Sequence, residues 1–445
     1  MAIAVSLIIF GIINYLGMKY ILSSRQYTLT SADKTKDKWS FSGGEMFVLL
    51  TLLCAPISAA PLGLLSIRLL LWILLVGVGI LNSRRCLIFS PVTFTYGGYL
   101  IFLLFSLFYT PVLDYGFRTF LKYLLPFLIL LYVPGIITTP HVFIKGMRCV
   151  IVIFSIAITF FIIGWSGIPI LSILGLVHIF WWGPAIIDSF SVFCSVSIVY
   201  SAYSHNKHYL WLLFPMFLIP LLFSIRTGLI TTIVTLLAMV FFRYKMKSIP
   251  FLILILFLGI SSVVFIPQIR NKMFYQEMTA SYLLENYQYL SKDDIDTSGR
   301  FAMWEWLLRD YYEPHKLTGS GLGIQQYTLY HRVASGDGAL TVAHCDYVQM
   351  LCDTGLFGIG LYCFVIFSMI WHTFLIYNDQ KLSRECRYSA LIAGTSICGL
   401  VAAMMTDNVV NYTMVTLVYP FTFYAIAIGL KQRVFNVQCH HSSVQ

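Results

Sequence analysis

The chain has 445 residues, of which 58% are hydrophobic and only 11% are charged. Because about a quarter of the residues in a soluble globular protein are charged, this composition excludes a soluble protein and indicates a polytopic membrane protein. The formal net charge of +10 is spread over short loops. It does not form the clustered basic surface that nucleic-acid binding needs, so we expect no nucleic-acid partner.

Apolar stretches long enough to cross a bilayer as helices recur along the chain. A hydrocarbon core requires about 17 to 25 largely apolar residues. Such stretches lie near residues 3–18, 45–61, 64–82, 92–110, 119–137, 148–165, 186–204, 208–224, 227–242, 249–267, 356–377, 388–406 and 412–430. The first stretch is short, and only a few residues around Pro61 separate the second from the third. We therefore predict an all-α membrane protein with twelve or thirteen transmembrane helices.

The basic residues alternate between the loops of these predicted helices. One set of loops holds Lys19, Arg25, Lys34, Lys36, Lys38, Arg84, Arg85, Lys145, Arg148, Lys207, Arg243, Lys245, Lys247, Lys381, Arg384, Arg387, Lys431 and Arg433. The short loops of the other set hold only Arg118, Lys122 and Arg226. Since cytoplasmic loops carry the excess of Lys and Arg, the pattern predicts a cytoplasmic carboxyl terminus. The orientation of the N-terminal helix, which we expect to be retained because it lacks a cleavage pattern, stays open.

One long polar segment interrupts the helical domain and, by the same alternation, is extracytoplasmic. The predicted organisation is N-terminal transmembrane helices at 1–268, a long loop at 269–342, and a rim helix with the C-terminal transmembrane helices at 343–445. A loop of this length is usually functional. Within it we predict an interfacial helix near 275–290 and a helix from about 299 to 312. The second helix would place Arg300 and Trp304 on one face.

Arg226 lies between two apolar segments that are each long enough to span the membrane. A guanidinium at membrane depth costs at least about 2.5 kcal/mol, so such a residue usually faces a cavity and binds an anion. The alternative is a structural arginine that reaches the interface at a tight turn. Arg300 could likewise be an exposed cation at a helix end.

Two further segments of the long loop and its end carry candidate groups. Gly319–Gly323 could approach a phosphate with its backbone amides, although a plain flexible turn is favoured because the P-loop ending is missing. Residues 343–355 should form a short helix that carries His344 at the extracytoplasmic rim and breaks at Gly355. The alternative role for His344 is to cap a backbone carbonyl.

Three motifs resemble the O-antigen polymerase and O-antigen ligase superfamily of bacterial envelope glycosyltransferases, which are GT-C-like membrane enzymes. The first is Ser224-Ile225-Arg226-Thr227-Gly228; the second runs from Gly299-Arg300 through Pro314 to Gly321-Leu322-Gly323; the third comprises His344, Leu351, Asp353, Gly355-Leu356 and Gly358. Asp407, at the outer turn of the final helix pair, also fits. Two positions depart from the family pattern, since Cys345 stands where Asn is common and Asp353 where Glu is common.

The resemblance implies transfer of a glycan from an undecaprenyl diphosphate carrier to an acceptor sugar at the periplasmic face of the bacterial inner membrane. Arg226 and Arg300 would bind the diphosphate, and His344 would act as the general base. Arg118 and Lys122 could add to the anion site, Asp188 and Asp407 could orient a guanidinium or bind sugar hydroxyls, and Trp304 could stack on a sugar. Structural roles are favoured for these four charged residues, and an interface anchor is favoured for Trp304.

No metal or other cofactor is expected, because the arginines would supply the leaving-group stabilisation. The ten cysteines contain no Cys-x-x-Cys pair or metal-ligand spacing. The implied partners are the lipid-linked glycan donor, a glycan acceptor and the membrane lipids, and the reaction allows for a chain-length regulator.

Three functions remain open at this point. The leading interpretation is a polymerase that joins lipid-linked repeat units of O-antigen or a related surface polysaccharide. The second is a ligase that transfers the glycan to lipid A core, and the third is a transporter of lipid-linked glycans. A transporter is disfavoured because no internal repeat is visible and because its critical charges would lie near the bilayer midplane.

Overall fold

Helices make up almost all of the regular structure. The computed structural model describes residues 43–54, 61–62, 65–66, 89–137, 139–165, 183–222, 225–250, isolated positions between 253 and 265, 300–336 and 340–442. Within these residues the only strands are Pro61–Leu62 (β1) and Leu65–Ser66 (β2), which pair antiparallel. This pair lies where the sequence around Pro61 separates two predicted spans. The predicted all-α polytopic class is confirmed.

The helices of the described residues can be numbered in chain order. They are Gly43–Cys54 (α1), Pro91–Ser106 (α2), Leu113–Ile136 (α3), His141–Trp165 (α4), Gly183–Asp188 (α5), Phe190–Ser204 (α6), Leu213–Leu222 (α7), Arg226–Tyr244 (α8), Arg300–Leu307 (α9), Ile324–Ala334 (α10), Asp346–Asn378 (α11), Arg384–Ala403 (α12) and Val418–Ser442 (α13). Short 3-10 helices occupy Lys207–Leu212, Lys245–Ser248 and Glu313–His315, and a π-helical turn occupies Leu308–Tyr312.

Several of these helices can cross a bilayer. In the described part of the chain, six segments are long and apolar enough: Leu113–Ile136, His141–Thr159, Ile186–Ser204, Arg226–Ser248, Asp346–Asn378 and Arg384–Ala403. α2 is apolar but shorter. The predicted span 3–18, most of 64–82 and most of 249–267 lie outside the described residues, and the described part of 64–82 is the strand Leu65–Ser66. The chain is therefore a multi-pass membrane protein, while the total of twelve or thirteen spans stays a prediction.

Helix α12 forms the centre of the bundle and packs against α6, α8, α11 and α13. Glycines on its surface allow this close packing. A Cβ atom at Gly399 would lie 2.7 Å from the Cβ of Ser191 and 2.9 Å from the carbonyl oxygen of Thr231. Small residues at such contacts let membrane helices approach closely, so α12 can contact α6 and α8 at the same level.

The two ends of α12 mark two chemically different ends of the bundle. At its start, the hydroxyl of Tyr203 donates to Oε1 of Glu385 over 2.9 Å, and Arg384 donates to the carbonyl of Ala202. At its other end, about 30 Å away for a helix of this length, the chain forms the turn 404–417 before α13 begins. The residues at the start of α12 belong to the basic set of loops, so the turn 404–417 lies at the opposite end of the bundle.

Three local predictions can be compared with the described residues. The helix predicted at 299–312 is α-helical from Arg300 to Leu307 and continues as the π-helical turn. The helix predicted at 343–355 begins only at Asp346, so the prediction was wrong for His344, which precedes the helix and adopts φ +50°. The predicted break at Gly355 is confirmed, with φ +62° and ψ −164° inside α11. The predicted interfacial helix at 275–290 lies outside the described residues.

Candidate functional site

The turn 404–417 contacts the first residues of α8 and α9, the two helices that begin with the predicted arginines. Nη1 of Arg300, the first residue of α9, donates to the carbonyl oxygen of Thr406 over 2.9 Å. The hydroxyl of the same threonine lies 3.1 Å from the hydroxyl of Thr227, the second residue of α8. Arg226 directly precedes Thr227, so both predicted arginines belong to segments anchored on Thr406.

Arg226 opens α8 in a half-buried position. The preceding residue, Ile225, contributes no side-chain cap, so no side chain of the N-cap residue uses the first amides of the helix. Gly228 permits the tight entry of the chain, because a Cβ atom there would lie 2.6 Å from Ile187 and 2.8 Å from Pro220. A helix start of this kind has positive partial charge beside the guanidinium and suits an anion.

His344 contacts the same turn one residue further along the chain. Its Nδ1 atom lies 3.4 Å from Oδ1 of Asp407 and 3.3 Å from Nδ2 of Asn408. The side chains of His344 and Asp407 are 20% and 13% exposed. The left-handed backbone of His344 costs about 1 to 2 kcal/mol in a non-glycine residue, and the surrounding contacts must hold it in place.

Hydrogen bonds from two residues, Trp304 and Asp346, fix the segment around His344. The indole N–H of Trp304 donates to the carbonyl of Ala343 over 2.6 Å. Asp346 joins the start of α11 to the turn, because its amide donates to Met404 and its Oδ2 accepts from the amide of Val410, both at about 3 Å. The structure thus gives Trp304 a partner that positions His344; whether it also contacts a sugar stays a prediction.

The glycine-rich turn Gly319–Gly323 lies at the same end of the bundle, but all its amides are already bonded within the protein. The amides of 319, 320 and 321 donate to the carbonyls of His315, Cys352 and Asp353, that of 322 donates to the hydroxyl of Ser106, and that of 323 donates to the carboxylate of Asp353. The turn is also largely buried. It is therefore neither a flexible turn nor a phosphate cradle, and both interpretations drawn from the sequence are corrected.

Asp353 explains why this turn is fixed. Its two carboxylate oxygens accept from the amides of Gly323 and Gln325 over 3.0 and 3.1 Å. The break at Gly355 brings the segment before the turn against α11, where a Cβ atom at Gly355 would lie 2.5 Å from the amide of Gly319. Asp353 thus joins α11 to the start of α10.

Lys122 and Arg118 are placed differently, although both lie in the first turns of α3. The ammonium of Lys122 donates to Oδ1 of Asn411 over 2.6 Å and to Oε1 of Gln326 over 3.2 Å. Lys122 is therefore joined to the turn 404–417. Arg118 is exposed, and its guanidinium lies 5.6 Å from the ring centre of Tyr115.

Asp188 is fully buried at the end of α5. Its neighbour Ile187 packs against Gly228 near the start of α8. Neither of its carboxylate oxygens has a hydrogen-bond partner among the described residues. Asp188 interacts electrostatically with Asp407 and Asp346. Asp188 therefore makes no hydrogen bond to a guanidinium among the described residues. A role in binding sugar hydroxyls stays a prediction.

Cys345, which follows His344, lacks the environment of a nucleophilic cysteine. Its side chain is buried, and this burial raises the pKa of the thiol above its ordinary value. Nucleophilic cysteines need a lowered pKa.

Among the described residues, no group of three or more His, Cys, Asp or Glu side chains is placed to hold a metal ion.

Several residues of the site were not predicted from the sequence. Thr406, Asn408 and Asn411 contribute as much to the geometry as the predicted residues, and Asp346 fixes the turn. A sequence signal existed, because Thr406-Asp407-Asn408 is a polar run between Met405 and Val409 in an otherwise apolar region. This run begins at the last residue of the predicted span 388–406, at the end that the charge alternation predicts to be extracytoplasmic.

This geometry belongs to a multi-pass membrane protein whose half-buried charged groups converge at one end of the helix bundle. Residues 210–363 match the model of a protein family described as O-antigen ligase. The matched segment contains Arg226, Arg300 and His344. The match supports the resemblance to the O-antigen polymerase and ligase superfamily and a polysaccharide-related membrane enzyme. A search of curated proteins found no match.

Proposed function

We propose that this protein is a glycosyltransferase that polymerises undecaprenyl-diphosphate-linked repeat units of O-antigen or a related surface polysaccharide. The observation that carries the proposal is the convergence on three successive residues of one turn. Thr406 accepts from Arg300 and bonds to the residue after Arg226, while Asp407 and Asn408 contact His344. These contacts bring two cationic helix starts and an imidazole to one end of the bundle.

The arginines would bind the diphosphate of the donor. A guanidinium has several N–H donors in a planar fork that matches phosphate oxygens. The contact with Thr406 uses Nη1 of Arg300, so other donors of that guanidinium can reach a ligand. Each close contact would contribute about 4 kcal/mol of Coulomb attraction at an effective dielectric near 20, before desolvation is subtracted.

The same arginines would accelerate the reaction. As the bond between the sugar and the diphosphate lengthens, negative charge grows on the leaving group. Fixed cations therefore stabilise the transition state more than the ground state. Because this stabilisation comes from side chains, the proposed reaction requires no divalent metal.

His344 would remove the proton from the acceptor hydroxyl. Nδ1 of His344 lies near the carboxylate of Asp407, which only accepts, and near Nδ2 of Asn408, which only donates. We assign the proton to Nδ1, so that Nδ1 and Nδ2 of Asn408 both donate to Asp407. The lone pair on Nε2 is then left for the acceptor hydroxyl. The Nδ1–Oδ1 separation of 3.4 Å is long, but such contacts often tighten when substrate binds. Asp407 is thus a positioning residue for His344.

The side of the membrane that the site faces is inferred from the alternation of basic residues between the loops. The loops rich in Lys and Arg would face the cytoplasm, which would put the turn 404–417 and the long loop at the periplasmic face of the inner membrane. A lipid-linked donor would reach the site from the outer leaflet. The diphosphate would then lie near the headgroup level, where Arg226 and Arg300 are half-buried.

The acceptor separates the two candidate enzymes. We favour the polymerase because the sequence has no recognisable feature that a lipid A core acceptor would require. The ligase that transfers glycan to lipid A core is the second candidate, and the description of the matched family, O-antigen ligase, favours it. A deletion strain separates them: lipopolysaccharide with one repeat unit on core supports the polymerase, whereas bare core with accumulated long lipid-linked chains supports the ligase.

The site itself is tested by Arg226→Lys and Arg300→Lys. Lysine keeps the charge but loses the planar fork, so both variants should make no detectable glycan while inserting normally. Arg243→Lys, at the far end of α8, is the matched control, because Arg243 is exposed and should tolerate the change. Wild-type glycan amount and length in both test variants would refute the diphosphate role.

A further inference from the structure

A row of side chains on α3 faces α10 at the same end of the bundle as the turn 404–417. Tyr115 and Lys122 are seven residues apart and therefore share a helix face. The ring of Tyr115 lies 5.4 Å from that of Tyr327, edge to face, and Lys122 bonds to Gln326. The two helices thus have aromatic rings toward the N-terminal end of α3 and polar groups further along it.

The ammonium of Lys122 fixes the direction of two amide side chains. It donates to Oε1 of Gln326 and Oδ1 of Asn411, so the NH2 groups of both amides point away from it. Nδ2 of Asn411 is buried and has no hydrogen-bond partner among the described residues. An ammonium has three donors, and two are used here. The cluster of Lys122, Gln326 and Asn411 therefore offers N–H donors of fixed direction.

This cluster is partly exposed, although Nδ2 of Asn411 itself is buried, and the charge of Lys122 is not neutralised by an ion pair. All three residues are half-buried rather than buried. In the described part of the chain, Lys122 touches no carboxylate, although Asp346 and Asp353 interact with it electrostatically. Buried polar groups without partners require an explanation, such as water or a ligand. A ligand with several acceptor oxygens matches this donor set.

The cluster and the proposed base both contact the turn 404–417, the cluster at Asn411 and His344 at Asn408. Along the turn, Thr406 contacts Arg300, Asn408 contacts His344, and Asn411 contacts Lys122. In glycosyl transfer the acceptor oxygen attacks the sugar carbon opposite the leaving diphosphate. The three contacts occur along the sequence of the turn in the order that the reaction would require, with the diphosphate first, then the base, then the acceptor.

We propose that Lys122, Gln326 and Asn411 form the subsite for the acceptor sugar, whose ring oxygens and hydroxyls accept hydrogen bonds from them. Tyr115 and Tyr327 would contact the next sugar of the acceptor chain, since aromatic rings provide a flat apolar surface with polar tips. This inference rests on the glycosyltransferase function proposed above. It adds the residues that recognise the acceptor.

The experiment uses the full-length protein in lipid nanodiscs. The donor is the lipid-linked glycan purified from the producing cells. Two acceptors are used in parallel: the repeat-unit oligosaccharide as its octyl glycoside, which has no diphosphate and can only accept, and purified lipid A core. Initial rates give separate KM values for donor and acceptor. The variants are Lys122→Met and Gln326→Leu, with Lys316→Met, an exposed lysine at the same end of the bundle, as the control.

Loss of a hydrogen bond that involves a charged group should raise the acceptor KM of Lys122→Met about tenfold or more. Gln326→Leu should raise it about fivefold, since a neutral bond is weaker. The donor KM should stay at the wild-type value in both, and Lys316→Met should match wild type in both constants. Gln326→Leu leaves Lys122 in place, so it keeps the test valid if Lys122→Met does not fold.

Two results would overturn the subsite. One is an unchanged acceptor KM in the folded variants, which would leave water as the occupant of the cluster. The other is a raised donor KM with an unchanged acceptor KM, which would assign the cluster to the donor glycan. If the wild-type protein transfers glycan to neither acceptor, the proposed glycosyltransferase function is refuted, and the proposed acceptor subsite is refuted with it. The failure of each proposal is therefore distinguishable.

Discussion

Two turns at the same end of the helix bundle differ in what the fold leaves available to a ligand. The turn Gly319–Gly323 resembles a phosphate-binding loop in sequence, yet each of its amides is bonded within the protein, two of them to the backbone and side chain of Asp353. The turn at Thr406–Asn408 has no conspicuous motif, but its polar groups contact Arg300 and His344 at half-buried positions. A binding site needs groups that the fold has not already used, and the contacts at the second turn leave further N–H groups of Arg300 and Nε2 of His344 for a ligand.

The largest effect expected from this comparison follows the replacement of His344. Without a base, His344→Ala should lower kcat about 10² to 10⁴-fold, while the thermal unfolding temperature and donor affinity stay near those of the wild type. Initial-rate kinetics and a thermal shift measurement on the purified protein check this. Full turnover in the variant would show that His344 is not the base.

A smaller effect is expected at Asp407, which contacts His344 but not the reacting atoms. Asp407→Asn removes a charged hydrogen-bond partner worth about 1.5 to 3 kcal/mol, so kcat should fall about tenfold to hundredfold. Donor KM should not change, and Asp407→Glu should recover part of the rate. If Asp407→Asn loses activity only in proportion to its folded fraction, Asp407 has a structural role alone. The turn Thr406–Asn408 would then differ less from the glycine-rich turn.

The smallest effect on catalysis is expected at the glycine-rich turn. Asp353→Asn replaces one of two carboxylate oxygens that accept from Gly323 and Gln325, which should lower the free energy of unfolding by about 1.5 to 3 kcal/mol. The kcat per folded molecule should stay close to that of the wild type. Thermal unfolding and active-site-normalised rates measure both quantities. A large drop in kcat at unchanged stability would give this turn a direct role and reverse the comparison.

Much of this arrangement could be predicted from the sequence because it depends on apolar length and on the local motifs. The all-α membrane class, the helix start at Arg226 and the break at Gly355 all follow from such patterns. The bonding of the glycine-rich turn could not be predicted, since its partner Asp353 lies thirty residues away and hydrogen-bond satisfaction is a property of the fold.

The same reason explains the residues that were missed. Lys122 and Asn411 are 289 positions apart in the chain, and no local pattern joins them. His344 was placed in a helix because its neighbours have helical spacing, but its contacts with Asp407 and Asn408 hold it in a left-handed conformation outside that helix.

Arg226 and Arg300 are proposed to bind one diphosphate together. The most direct measurement is the affinity of the full-length protein in nanodiscs for undecaprenyl diphosphate, with undecaprenyl monophosphate as the control ligand. We expect Arg226→Lys and Arg300→Lys each to weaken diphosphate binding about tenfold or more. The double variant should lose less than the sum of the two free energies, because the residues share one ligand, and His344→Ala should bind like the wild type. Wild-type affinity for the diphosphate in both arginine variants would show that Arg226 and Arg300 do not bind it.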